Sequence, residues 1–237
     1  LMVTSEAYCQ SSISSDLGYE EDPANRWLGR GQRVRLSAES IRDQALFVSG
    51  LLSEKILGPS MNPPQPKMGL NAAFGSQIDW KTSEGEDRYR RGLYTTWRRS
   101  NPYPSMAVFD APNREVCILK RDRSNTPLQA LVTLNDPAFV EAAQGLARRM
   151  QLAQGALLDK MTFGWRECLI RPPTLAELQS MERLYQEALG YYRNEENQAI
   201  QMAEDPIGPS PEGVPVAELA SMVLVANALL NLDEFLM

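Results

Sequence analysis

Residues 216–230, VAELASMVLVANALL, would carry apolar side chains on nearly every side of a helix. Such a helix is stable only where other elements cover it all round, so this segment predicts the centre of a helical bundle. The rest of the chain offers partners. Thr174-Leu175-Ala176-Glu177 is a capping box, in which the first hydroxyl and the last carboxylate satisfy backbone amides reciprocally, and it opens a long helix with Leu178, Met181, Tyr185 and Ala188 on one face. Helices are predicted over about 137–153, burying Phe139, Ala143, Leu146 and Met150, and over about 156–170, ending before Pro172-Pro173. Another runs over 38–56 from Ser37 to a stop at Gly58-Pro59, with Ile41, Ala45, Val48, Leu52 and Ile56 on one face. Residues 2–12 read as the middle of a helix, which suggests part of a longer protein, and Trp27 is expected to anchor the following loop on the core.

Two stretches break the helical pattern. Residues 59–85 hold four prolines and three glycines without sustained periodicity, and 204–215 hold four prolines, so both read as long irregular loops. Over 91–98, Leu93, Thr95 and Trp97 alternate with Tyr94 and Thr96, the period of a strand, although Tyr89, Leu93 and Trp97 would also share a helix face. Val116 to Leu119 is a second strand candidate that could pair with it. The expected fold is mainly α, a multi-helix bundle with a minor β-ribbon and long loops, forming a single helical domain over 1–237.

Histidine is absent, which removes the usual general base, the Ser-His-Asp and Cys-His pairs and histidine ligands for zinc or haem. Cys9, Cys117 and Cys168 form no CxxC or CxxCH, and they read as small buried side chains. No metal-ligand spacing or phosphate-binding glycine loop occurs, and no apolar run approaches the roughly 20 residues of a membrane helix. The net charge of −6 argues against a nucleic-acid protein. It is unevenly spread. Arg88 to Arg123 holds nine basic and three acidic residues, leaving 15 basic and 27 acidic elsewhere. That segment either attracts an anion or pairs with the acidic remainder of the fold.

Within it, residues 109–136 pin a charged loop between rigid elements. Thr126-Pro127-Leu128-Gln129 starts a helix, with Thr126 as cap, Gln129 closing a capping box and Leu128, Leu131 and Leu134 as its apolar residues, and Asp136-Pro137 starts the next. Asp110 and Glu115, with Asp136, are the candidate catalytic carboxylates, because two facing one cleft could serve as acid and base in glycoside cleavage. The structural alternative is that they accept hydrogen bonds from neighbouring arginines or loop amides. Arg114, Arg121 and Arg123 are candidate anion ligands, since guanidinium meets carboxylate, sulfate or phosphate with paired donors. Tyr94 and Trp97, with Tyr103, lie between arginines, where an aromatic face could hold a sugar ring or stack a cation. Asn125 and Asn135 read as turn formers.

Several words of the sequence occur together in one known family. They are Asn25-Arg26-Trp27-Leu28, Arg35-Leu36-Ser37-Ala38-Glu39-Ser40-Ile41-Arg42-Asp43, Gly58-Pro59-Ser60, Tyr89-Arg90-Arg91-Gly92-Leu93-Tyr94, Pro104-Ser105-Met106, Phe109 through Cys117, Asn125-Thr126-Pro127-Leu128-Gln129-Ala130-Leu131 and Leu230-Asn231-Leu232-Asp233-Glu234-Phe235. The chain resembles, over nearly its whole length, the planctomycete-specific domain of unknown function at the C-terminus of large cytochrome c-like proteins. The resemblance implies an exported, multidomain bacterial parent with haem held elsewhere and no cofactor within these residues. The expected function is a non-catalytic binding or scaffolding module whose partners are other domains of the parent or an anionic polysaccharide, with no nucleic acid and no membrane span. The alternative is a carboxylate-dependent glycoside hydrolase or lyase acting on acidic polysaccharide.

Overall fold

A computed structural model describes residues 1–12, 16–66, 80–99 and 102–237. Its contacts cluster into two compact units, Leu1–Leu36 with Met237, and Ser37–Leu236. Nine α-helices occur among the described residues: α1 (Asp16–Glu21), α2 (Ala38–Ser49), α3 (Pro104–Val108), α4 (Pro127–Asn135), α5 (Pro137–Leu152), α6 (Leu157–Leu169), α7 (Leu175–Tyr192), α8 (Glu196–Glu204) and α9 (Val216–Leu230).

The smaller unit carries α1 and a 3₁₀ turn at Met2–Thr4 in place of the helix expected over 2–12. The indole of Trp27 is exposed. Its loop is held by Asp22, whose carboxylate accepts from the Arg26 and Trp27 amides at 2.9 Å each. Those two hydrogen bonds keep the carboxyl below its usual range. The loop expected through Ser14-Ser15-Asp16 and Glu20-Glu21-Asp22-Pro23 falls in part on 13–15, outside the described residues, and α1 takes Asp16–Glu21 instead.

In the larger unit α9 is the hub. It packs most extensively on α5 and α7, then on α8, and also touches α4 and α6. Leu219, Ala220, Met222, Val223, Val225, Ala226, Leu229 and Leu230 are all buried, as an all-round apolar helix requires. α2 also packs on α5. α7 begins with the expected box, the Glu177 amide donating to Thr174 Oγ1 at 3.3 Å and the Thr174 amide to Glu177 Oε2 at 2.6 Å. Arg171, which bonds Glu177 and Glu234, and after it the box pull the Glu177 carboxyl down to about 2.

Three expectations fail for physical reasons. α2 stops at Ser49, because Gly50 takes a left-handed cap at φ 75° and donates to Leu46 O and Phe47 O; Ile56, beyond the stop, is exposed. The helix starting at 174 breaks after Tyr192 and restarts as α8, a helix the sequence reading did not separate. The β-ribbon is absent among the described residues. Segment 91–98 instead holds a 3₁₀ turn at Gly92–Tyr94, and its neighbourhood makes only isolated bridges, Ser53 to Arg90 and Met61 to Thr95. Val116–Leu119 has no ladder partner there and lies exposed in a loop. Of the expected 59–85 excursion, 67–79 lie outside the described residues. Its two ends meet, the Ser83 amide donating to Asn62 O at 2.9 Å and Trp80 stacking on Tyr103 with ring centroids 6.0 Å apart.

Candidate functional site

The charged loop is closed at its base. Asp110, at φ 59°, turns its carboxylate onto Ser124, accepting from the amide at 2.7 Å and from Oγ at 2.8 and 3.0 Å. Gln129 completes the closure. Its amide donates to Val108 O and Ser124 Oγ, both at 3.0 Å, rather than forming the expected capping box. Thr126 likewise makes no side-chain cap. Residues 111–123 are thus a compact excursion pinched at its neck, the form of an Ω-loop. Asn113 steadies the tip: its side chain accepts from the Glu115 amide and donates to Glu115 Oε2, each at 3.1 Å, and its carbonyl accepts from Trp97 Nε1 at 3.4 Å. Arg114, at φ 62°, lies over the Trp97 ring at 5.6 Å.

The helix that follows is turned inside out. In α4 Gln129 and Thr133 are 0% exposed, while Leu128 and Leu131 are 55% and 56% exposed, and Leu134 is also exposed. The buried polar face is tied down by specific partners, although the Gln129 side-chain oxygen is buried without one. Thr133 Oγ1 donates to Asn231, and Asn227 Nδ2 donates to Thr133 O at 3.4 Å. Asn125 adds a bond to Asp233 at 3.2 Å. Val116, Ile118 and Leu119 on the loop are exposed as well. Loop and helix therefore present aliphatic side chains to solvent beside the exposed cations Arg114, Lys120 and Arg123.

The other basic residues divide sharply. Arg121 pairs with Glu39 at 2.7 Å and Arg91 with Asp43 at 3.1 Å. Arg88 makes a two-point fork onto buried Glu141, at 2.8 and 2.5 Å. Arg90 is buried and donates to Pro59 O at 2.6 Å and to Leu57 O, with its guanidinium 3.7 Å above the Tyr94 ring. Tyr94 is also used by the fold through its hydroxyl, which accepts from the Leu57 amide at 2.7 Å. Among the described residues, Arg88, Arg90, Arg91 and Arg121 thus serve internal contacts, while Arg114, Lys120 and Arg123 stand exposed on the loop.

Behind the loop lies a buried polar group formed by Arg42, Tyr103, Ser105, Asp136 and Glu141. Asp136 caps α5 by accepting from the Ala138 amide at 2.9 Å, and it accepts from Ser105 Oγ. Burial pushes its carboxyl up and the Arg42 guanidinium down. Arg42 donates to Arg90 O at 3.0 Å and Arg88 O at 3.1 Å. Tyr103, whose hydroxyl donates to Pro64 O at 2.9 Å, is also pushed up by burial. The three candidate carboxylates are therefore engaged separately: Asp110 in the loop neck, Glu115 at the loop tip and Asp136 under α5.

A family model described as PSD1, protein of unknown function (DUF1553), matches residues 1–185. The chain belongs to the PSD1 family. No curated protein and no solved structure matches it. The PSD1 match takes in the Ω-loop, α4 to α6 and the first part of α7.

A second feature of this PSD1 chain is a cleft of about 770 Å³ beside α5. Its lining includes Arg88, Asn135, Pro137, Glu141, Tyr192, Gln201, Met202 and Asp205. Sequence reasoning passed over all of these as cleft residues except that Asn135 was read as a turn former. Glu141 could have been noticed as a carboxylate on the buried face of an amphipathic helix, a position that demands a partner. The α8 residues carried no signal, because the sequence reading did not distinguish α8. Among the described residues no cluster of three His, Cys, Asp or Glu side chains could hold a metal ion, and no helix is long and apolar enough to cross a membrane.

Proposed function

We propose that this chain is a non-catalytic binding module that docks an acidic protein surface through the Ω-loop and the outward face of α4. The observation that carries the reading is the inversion of α4. A helix that buries Gln129 and Thr133 and exposes Leu128 and Leu131 leaves apolar area uncovered, and uncovered apolar area set among polar groups marks interaction sites. Arg114, Lys120 and Arg123 give the partner its charge. Aliphatic side chains favour a protein partner over an anionic glycan, which would use the cations and the exposed edge of Trp97 but leave the leucines wet. The separate engagement of Asp110, Glu115 and Asp136 supports binding over the carboxylate-enzyme alternative, which needs two of them in one cleft.

The resemblance to domains of exported cytochrome c-like proteins suggests the partner: a neighbouring domain of the same parent, with haem held outside these residues. Amide hydrogen exchange on the isolated chain and on the intact parent tests this. Protection of 114–134 in the parent, lost on Ile118→Asp or Leu131→Asp, is the expected result. Equal exchange in both proteins refutes the reading. Retention on heparin that falls with Arg123→Ala but ignores Leu131→Asp would give the surface to a sulfated glycan instead.

A further inference from the structure

The cleft beside α5 has its own chemistry, independent of the loop and of the function proposed for it. We propose that it binds a neutral polyhydroxylated ligand of the saccharide class. At about 770 Å³ it falls within the roughly 300–1,000 Å³ typical of small-molecule sites. The one cation among its described lining residues is already committed, because the Arg88 fork goes to Glu141 at 2.8 and 2.5 Å. An anion would therefore have to compete with Glu141 for the guanidinium, in a cleft where Asp205 adds a second carboxylate. An apolar ligand is disfavoured for another reason. It would strip water from the amides and carboxylates of Asn135, Gln201 and Asp205, at roughly 1–3 kcal/mol for each group left without a partner.

What the lining does offer is adjacent acceptors and donors held in planar groups. Glu141 is buried and committed to Arg88, so the groups open to a ligand include those of Asn135, Gln201 and Asp205. The Asn135 amide nitrogen is held by Leu131 O at 2.9 Å and its oxygen remains an acceptor, while Gln201 supplies both a donor and an acceptor. A hydroxyl group both donates and accepts, so neighbouring hydroxyls on one ring can satisfy such a set. Pro137 and Met202 give the C–H face of that ring an apolar wall.

Saturation-transfer NMR on the whole chain, with cellobiose and maltose as neutral probes and glucuronic acid as the charged comparison, tests the proposal. Transfer to at least one neutral disaccharide is expected, reduced about fivefold in affinity by Gln201→Ala, the scale of one lost hydrogen bond. Gln201→Trp, which sets a bulky indole in place of the donor and acceptor at an exposed helix position, should abolish binding while leaving the melting curve unchanged. Absence of transfer to either neutral sugar overturns the proposal. So does binding that survives Gln201→Trp, or a preference for glucuronic acid over both disaccharides.

Discussion

Replacing Gly145 by alanine should destabilise the protein, whereas the same replacement at Gly190 should stabilise it. Both glycines are helical, in α5 and α7. On propensity alone each substitution gains up to about 1 kcal/mol. The surroundings differ. A Cβ on Gly145 would lie 2.9 Å from Ser49 O, 3.0 Å from Ser49 Cβ and 3.1 Å from Leu51 Cγ, whereas one on Gly190 meets nothing within 4 Å.

The Ser49 carbonyl cannot easily retreat. It ends α2 directly before the left-handed Gly50, and Arg149, one turn along α5 from Gly145, donates to the preceding carbonyl, Val48 O. Overpacking of this kind costs about 1–3 kcal/mol. With backbone as one of the clashing groups the upper part of that range applies, so the net loss at Gly145 is about 1–2 kcal/mol. For a chain of this size that lowers Tm by about 2–8 °C. Gly190→Ala sits in the last turn, where about half the propensity gain is expected, or a rise of about 1–2 °C. Thermal unfolding followed by circular dichroism at 222 nm measures both. If Gly145→Ala raises Tm as Gly190→Ala does, α2 and α5 are not in the close contact described above.

Arg88→Ala should cost about 3–5 kcal/mol in urea unfolding, because it leaves buried Glu141 unpaired, whereas Arg121→Ala breaks a half-exposed pair with Glu39 and should cost less than about 1 kcal/mol. Adding Glu141→Gln to Arg88→Ala should recover part of the larger loss, and a double variant less stable than Arg88→Ala would refute the pairing argument. Burial raises the Asp136 carboxyl, against Ser105, Ala138 N–H and Arg42 and in the same sense as Glu141; the native state then holds this proton more tightly than the unfolded chain, so stability falls as pH rises from the ordinary value near 3.9 through the raised one. Asp136→Asn keeps the acceptor for Ala138 and removes that slope, so its urea midpoint should gain on the wild type across the window, and the opposite trend would mean that Arg42 outweighs burial. Exposed Cys9 and Cys117 should react with Ellman's reagent at pH 8 in the native protein, while Cys168, buried and with its thiol pushed up to about 12, should react only after denaturation; a fast third thiol would contradict its burial.

The bundle was legible because its signals are local and agree with one another. The all-round apolar α9, the Thr174–Glu177 box, the Asp136 cap and the limits of α5 and α6 each depend on residues within a few positions. What failed depends on distant partners. Val116–Leu119 has strand composition, but a strand requires a neighbour to accept its hydrogen bonds, and composition cannot supply one. Two stop signals lay within eight residues, Gly50 and Gly58, and the helix took the first. Of the candidate site residues, the charge excess was readable as a sum, but which cations the fold pairs was not. That depends on Glu141, Asp43 and Glu39, which lie far from their arginines along the chain.

The inversion of α4 was hidden for a deeper reason. Hydrophobic spacing alone places Leu128, Leu131 and Leu134 inward, since burying a leucine is worth about 1.5–3 kcal/mol. The fold forgoes much of that at Leu128 and Leu131, and a polar face anchored by its donors is what permits it, with the Gln129 side-chain oxygen left unpartnered. Gln129 ties the helix to Val108 and Ser124 across the loop neck, and Thr133 with Asn227 and Asn231 ties it to the end of α9. Net hydrogen bonds are worth about 0.5–1.5 kcal/mol each, so this network offsets the unburied leucines only in part. The remainder is recoverable wherever another surface covers them. A helix held leucine-outward by its own polar contacts is thus set up to release that free energy on docking, which is the physical basis for placing the partner surface there.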